Sequence, residues 1–153
     1  MSNTFQIDLN WKRSTNFTYD HFNRNHTLMF SGQQFLNNSS APEYLGNADM
    51  ANPEELLASA LASCHMLTFL VIASKSGYIV DTYNDQAIAT LDKNEEGKLA
   101  ITVIDLRPAI EFSGEKIPDD DQLKSLHDKA HRNCFIANSI KTKVNIHSVG
   151  RIS

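Results

Sequence analysis

No run of about 18 consecutive apolar residues occurs in the 153-residue chain, so a membrane-spanning helix is not expected. The stretch Met1 to Asn10 is polar and lacks the charged-then-apolar design of a secretory leader, which makes the cytoplasm the expected compartment. Basic charge is also scarce. Lys and Arg number 14 against 18 Asp and Glu, a net charge of -4. Lys141, Lys143 and Arg151 are too spread to neutralise a phosphate backbone, which argues against nucleic acid as the main partner. With only two cysteines, the chain has no structural disulfide framework of the kind secreted domains use. Low-complexity tracts, internal repeats and long linkers are missing too, so a single domain over 1–153 is expected.

What is present is an ordinary globular composition, 41% hydrophobic and 21% charged, in a chain long enough to bury a core without metal or disulfide. Phe5, Ile7 and Leu9 alternate with polar residues up to Trp11, the pattern of a half-buried strand. Phe17 to Phe22, His26 to Phe30 and Gln33 to Leu36 read as further strands, with a turn at Ser31-Gly32. Asn37 to Met50 reads as a loop. Asn52, Pro53 and Glu55 then form a helix start with a capping box, and Gly77 closes the helix. Its apolar stripe reads as Leu57, Leu61, Cys64, Thr68 and Val71, widened by Leu56, Ala60, Leu67 and Leu70. A helix so broadly apolar is buried on most sides, and a chain this short points to a second copy to help cover it.

Tyr83 to Leu91 and Leu99 to Arg107 read as an antiparallel hairpin that ends or bulges at Pro108, with Ile110 to Phe112 continuing it. Pro118 and Asp119 to Asp121 open a second helix that ends near Asn133, with Leu123, Leu126 and Ala130 inward. Lys141 to Val149 supplies a last strand. The absence of regular βαβ alternation makes the fold class α+β.

Both thiols need weighing. Cys64 lies on the apolar stripe, where a cysteine often packs as a small hydrophobe. His65 follows it directly, and neighbours on a helix do not face each other. Cys134 follows the second helix beside His131 and Arg132, whose positive charge favours a thiolate. His127, His131 and Cys134 fall at i, i+4 and i+7, a zinc-like spacing with no evident fourth ligand.

The segment Asn52-Pro53-Glu54-Glu55-Leu56-Leu57-Ala58-Ser59-Ala60-Leu61-Ala62-Ser63-Cys64 resembles the central-helix signature of the OsmC/Ohr family, thiol-dependent reductases of organic hydroperoxides. The segment from His131 through Cys134 to Ser139 is similar to that family's second-cysteine motif, and the order of elements fits over nearly the whole chain. The resemblance implies a two-layer α+β fold of antiparallel strands around a long central helix, assembled as an intertwined homodimer. It further implies a peroxidatic thiolate at Cys64 and a resolving thiol at Cys134, recycled by a dithiol reductant, with no metal or cofactor. Glu54 matches the family's glutamate, which orients an arginine towards the thiolate. Arg24 is the first choice for that arginine and Arg13 the rival. On one straight helix Glu54 and Cys64 stand about 15 Å apart, so Glu54 acts through another group. Two alternatives stay open: a non-catalytic relative that binds an apolar small molecule, and a zinc protein using His127, His131 and Cys134.

Overall fold

The computed structural model describes residues 2–153. They fall into two compact units, one ending at Leu56 and the other spanning Leu57–Ser153.

The first unit is a three-stranded antiparallel sheet of β1 (Asp8–Asn10), β2 (His26–Met29) and β3 (Phe35–Asn38), in that order. Its register pairs Leu9 with Leu28 and Leu28 with Leu36. The turn between β2 and β3 takes positive φ at Gly32 (70°) and Gln33 (61°), conformations that glycine adopts most readily. Phe17–Phe22, expected as a strand, is instead a turn. The amides of His21 and Phe22 both donate to the Thr18 carbonyl, and Thr15 Oγ1 donates to the His21 carbonyl. These local bonds replace a ladder, and the aromatic side chains turn inward on one another, with Phe17 5.6 Å from Phe22 and 6.0 Å from Trp11.

The long helix α1 (Pro53–Lys75) starts as expected. Asn52 Oδ1 accepts from the Glu55 amide at 2.9 Å and Glu55 Oε2 from the Asn52 amide at 3.3 Å. Gly77, at φ 84°, ends it. By length and composition α1 is apolar enough to cross a membrane, which corrects the expectation that no segment is. Interspersed Ser, Thr and His interrupt its apolar runs without lowering its mean hydropathy much. The helix does bury one face in the fold, Ala58, Leu61, His65, Phe69 and Ala73. That face is rotated from the expected stripe: Leu61 is shared, whereas Val71 is exposed.

The second unit carries two three-stranded sheets around α1 residues and α2 (Asp120–Asn133). One has the order β4 (Ile79–Asn84), β7 (Ala109–Ser113), β9 (Val149–Ile152), the other β5 (Ile88–Lys93), β6 (Leu99–Leu106), β8 (Lys143–Ile146). The expected hairpin is β5–β6, while Tyr83 belongs to β4 in the other sheet. Pro108 separates β6 from β7, and His147-Ser148 separates β8 from β9, so the expected single last strand is two. The breaks lie side by side: the His147 amide donates to the Leu106 carbonyl at 2.8 Å and the Val149 amide to the Pro108 carbonyl at 3.0 Å. The pairs β6–β8 and β7–β9 are parallel, a departure from the antiparallel expectation that follows from α2 acting as the crossover. Helix α2 opens with its own capping box, Asp119 with Gln122, and buries Leu123, Leu126 and Ala130 as expected.

Candidate active site

The two cysteines come together in the second unit. Cys64 projects from the middle of α1, and Cys134 is the C-terminal cap of α2, fully buried. Leu61, Ile104 and Leu106 form an apolar core with Cys134, and Cys64 packs against its edge with Ile136 and Ile140. The chain turns after Cys134, and its successive amides point back at sulfur. The Ala137 amide donates to Cys134 Sγ at 3.4 Å, and the backbone of Ile136 and Phe135 reaches the Cys64 sulfur.

These contacts order the thiols. Burial is the largest single influence on Cys64 and opposes its ionisation. It is outweighed together by the Ile136 backbone, the Cys134 thiol, the Phe135 backbone and the Thr68 hydroxyl, so Cys64 is held below the ordinary cysteine range. Cys134 is pushed the other way, first by burial and then by its bond to Cys64 and the negative charge there, against the Ala137 amide. The opposite shifts make Cys64 the first of the pair to ionise, with the S–H of Cys134 directed at its sulfur. Both cysteines are unbridged. The amides of 135–137 were missed from sequence. Their signal was the helix stop itself, since a chain that turns sharply after a helix frees consecutive N–H groups.

The residue after Cys64 and the residue seven positions before Cys134 also meet. His65 Nε2 lies 2.9 Å from His127 Nδ1, and His127 Nε2 lies 2.7 Å from Ser148 Oγ. Both nitrogens of His127 are thus engaged, which removes it as a zinc ligand. Among the described residues no group of three or more His, Cys, Asp or Glu side chains is placed to hold a metal ion.

Glu54 and the two arginines belong to the first unit. Glu54 sits in the first turn of α1 with Oε2 buried and without a hydrogen-bond partner among the described residues. Arg24 donates to the carbonyls of Phe22 (2.9 Å) and Tyr19 (2.8 Å) and lies 3.9 Å over the Phe22 ring. It lines an aromatic cavity of about 650 Å³ with Trp11, Phe17, Tyr19, Phe22 and Tyr44. Arg13 lies at the exposed surface and donates to the Thr15 carbonyl at 3.4 Å. Among the described residues neither arginine forms an ion pair with Glu54.

A sheet-and-helix unit with a dithiol between its two helices defines a class of thiol-bearing α+β proteins. The family model described as OsmC-like protein matches residues 46–148, and the chain belongs to that family. An OsmC-like protein of unknown function from Vibrio cholerae O1 biovar eltor is 40% identical, with a TM-score of 0.92 over 97% of this chain and 100% of that one. The fold is shared with an organic hydroperoxide resistance protein OsmC from Legionella pneumophila, 17% identical, TM-score 0.67, 97% of each chain covered. It is shared too with an organic hydroperoxide resistance protein from Elizabethkingia anophelis, 16% identical, TM-score 0.65, covering 100% of both. No curated protein matches the chain.

Proposed function

We propose that this protein is a cysteine-based reductase of organic hydroperoxides in which Cys64 attacks and Cys134 resolves. The observation that carries the reading is the meeting of the two cysteines in one apolar cluster, where the backbone of Ile136 and Phe135 reaches Cys64 and favours its ionisation over that of Cys134. The Cys64 thiolate attacks one peroxide oxygen, the O–O bond breaks, and the alkoxide takes a proton from solvent to leave as an alcohol. Cys64 is thereby oxidised to a sulfenic acid. Cys134 then attacks that sulfur. The S–S bond forms, the S–O bond breaks, and hydroxide departs with the Cys134 proton as water. An external dithiol returns both thiols by exchange.

The apolar surroundings supplied by Leu61, Leu106 and Ile136 support an organic substrate over hydrogen peroxide. Activation of Cys64 by Arg24, oriented by Glu54, is part of the proposal, as are a homodimer and a cytoplasmic location. What favours Arg24 over Arg13 is its place in an aromatic cavity. That same cavity supports a second reading, a non-catalytic binding module for an apolar molecule, because the Arg24 guanidinium is already committed to two carbonyls and a ring.

The test is consumption of cumene hydroperoxide and of hydrogen peroxide by the reduced protein with a dithiol. Faster organic turnover, abolished in Cys64→Ser, is the expected result. No turnover, with both thiols still free after exposure to peroxide, would leave the binding module as the better account.

A further inference from the structure

The second unit buries two histidines where apolar side chains would pack at less cost. His65 is fully buried and His127 nearly so, at 3% exposure. Their ring planes are almost parallel, 5° apart, and Phe69 covers His127 at 4.5 Å between ring centres. The chain of bonds runs His65, His127, Ser148 and ends at a cleft of about 660 Å³ lined by Lys124, His127, Asp128, His131 and Ser148.

Donation outward, from His65 Nε2 to His127 Nδ1 and from His127 Nε2 to Ser148, leaves only the His65 Nδ1 lone pair without a partner. The reverse direction would strand a buried N–H, which proteins tolerate less well than an under-used acceptor. The order serine, histidine, histidine also resembles a nucleophile with its base. Burial holds His127 at about 3, however, too weak a base to take the Ser148 proton. A hydrolytic role is therefore set aside.

What the chain does by geometry is fix a position. His65 adjoins Cys64 on α1, and His127 precedes Cys134 by two helical turns on α2. The face of α2 that carries His127, His131 and Cys134 meets α1 at Cys64 and His65: His127 bonds to His65, the charge of His131 acts on His65, and Cys134 bonds to Cys64. Apolar contacts such as Phe69 with Leu126 resist separation of the helices but hardly specify their register. A directional bond between buried rings does specify it.

We propose that the His65–His127–Ser148 chain is a positioning element for the dithiol, pinning the turn of α1 that bears Cys64 against the end of α2 that bears Cys134. It rests on the thiol chemistry proposed for Cys64, and it assigns these histidines no contact with substrate. Slippage of α1 by a fraction of an ångström would lengthen the bonds from Ile136, Phe135 and Cys134 that hold the thiolate.

The test compares His65→Leu, which removes the bond, with His65→Gln, whose side-chain N–H reaches the position of Nε2. The readout is the pH dependence of Cys64 alkylation by iodoacetamide, followed by peptide mass, together with the dithiol–disulfide equilibrium against dithiothreitol. Neither needs peroxide, so both remain readable if the wild type proves to be no peroxidase. In His65→Leu, alkylation at neutral pH should slow about tenfold, with His65→Gln within about threefold of wild type. Ser148→Ala, which frees the outer end of the chain at the cleft, should slow it in the same direction by less, and it serves where His65→Leu does not fold. A folded His65→Leu with wild-type alkylation, a His65→Gln as slow as Leu, or an unaltered Ser148→Ala would overturn the proposal.

Discussion

The thiol of Cys134, at the end of α2, is directed at the sulfur of Cys64, in the middle of α1; burial pushes Cys134 up, whereas at Cys64 burial is outweighed by the Ile136 backbone together with the Cys134 thiol and the Phe135 backbone. A hydrogen bond to a charged acceptor contributes about 1.5–3 kcal/mol, against roughly half that for a neutral one. Cys134→Ala removes that donor and leaves the backbone amides in place. Iodoacetamide alkylation of Cys64 at neutral pH should fall about tenfold in Cys134→Ala, while Cys134→Ser, which restores an O–H, should recover most of the rate. Equal rates in wild type and Cys134→Ala would mean that the amides of Phe135 and Ile136 suffice.

The buried imidazoles make the fold sensitive to acid. Burial, with the charge of His131, holds His65 at about 4 against an ordinary 6.5. Burial and the charge of His65 hold His127 at about 3, with Asp128 pulling it back slightly. Both folded values are depressed, so from pH 6.5 down to about 4 for His65 and about 3 for His127 the unfolded chain binds protons that the native one refuses. The stability these groups confer is complete above the unfolded value and is lost as pH falls through that window. With two protons involved, the slope reaches at most about 2.7 kcal/mol per pH unit. Urea midpoints should drop steeply from pH 6.5 to 4.5 in the wild type and much less in a His65→Leu/His127→Leu double variant. Parallel profiles would place the acid sensitivity elsewhere.

The N-terminal cap of α2 offers a cleaner stability measurement. Asp119 Oδ1 accepts from the Gln122 amide at 2.8 Å, and Gln122 Oε1 accepts from the Asp119 amide at 3.0 Å. Asp119→Ala should cost about 1 kcal/mol in urea unfolding, and Asp119→Ser much less, since serine caps nearly as well.

These differences show what local chemistry makes legible and what it does not. Caps and stops could be read directly, because Asn52, Gly77 and Asp119 act on backbone groups within three or four residues. The dithiol was legible as two motifs, but its activating amides were not, since they belong to the backbone of residues 135–137 rather than to a side-chain type. The strand expected at Phe17–Phe22 failed for a similar reason: β-forming aromatics outweighed Thr15 and Thr18, whose hydroxyls and carbonyl close the turn. The His65–His127 pair joins residues 62 positions apart on different helices, and no local pattern announces it.

The face of α1 was the hardest feature to read, because a helix apolar nearly all round has no periodicity to single out one side. Leu61 and Leu67 were both assigned to the apolar surface, yet Leu61 is fully buried whereas Leu67 is 57% exposed. Leu61 fills the core beside Ile104 and Cys134, so truncation there leaves a cavity. Leu61→Ala should destabilise by about 3 kcal/mol in urea unfolding, within the range for buried leucines. Leu67→Ala, on the open side, should stay within about 0.5 kcal/mol if nothing covers that face. A loss at Leu67 rivalling that at Leu61, and growing with dilution of the protein, would show instead that another copy of the chain covers this side of α1 in solution.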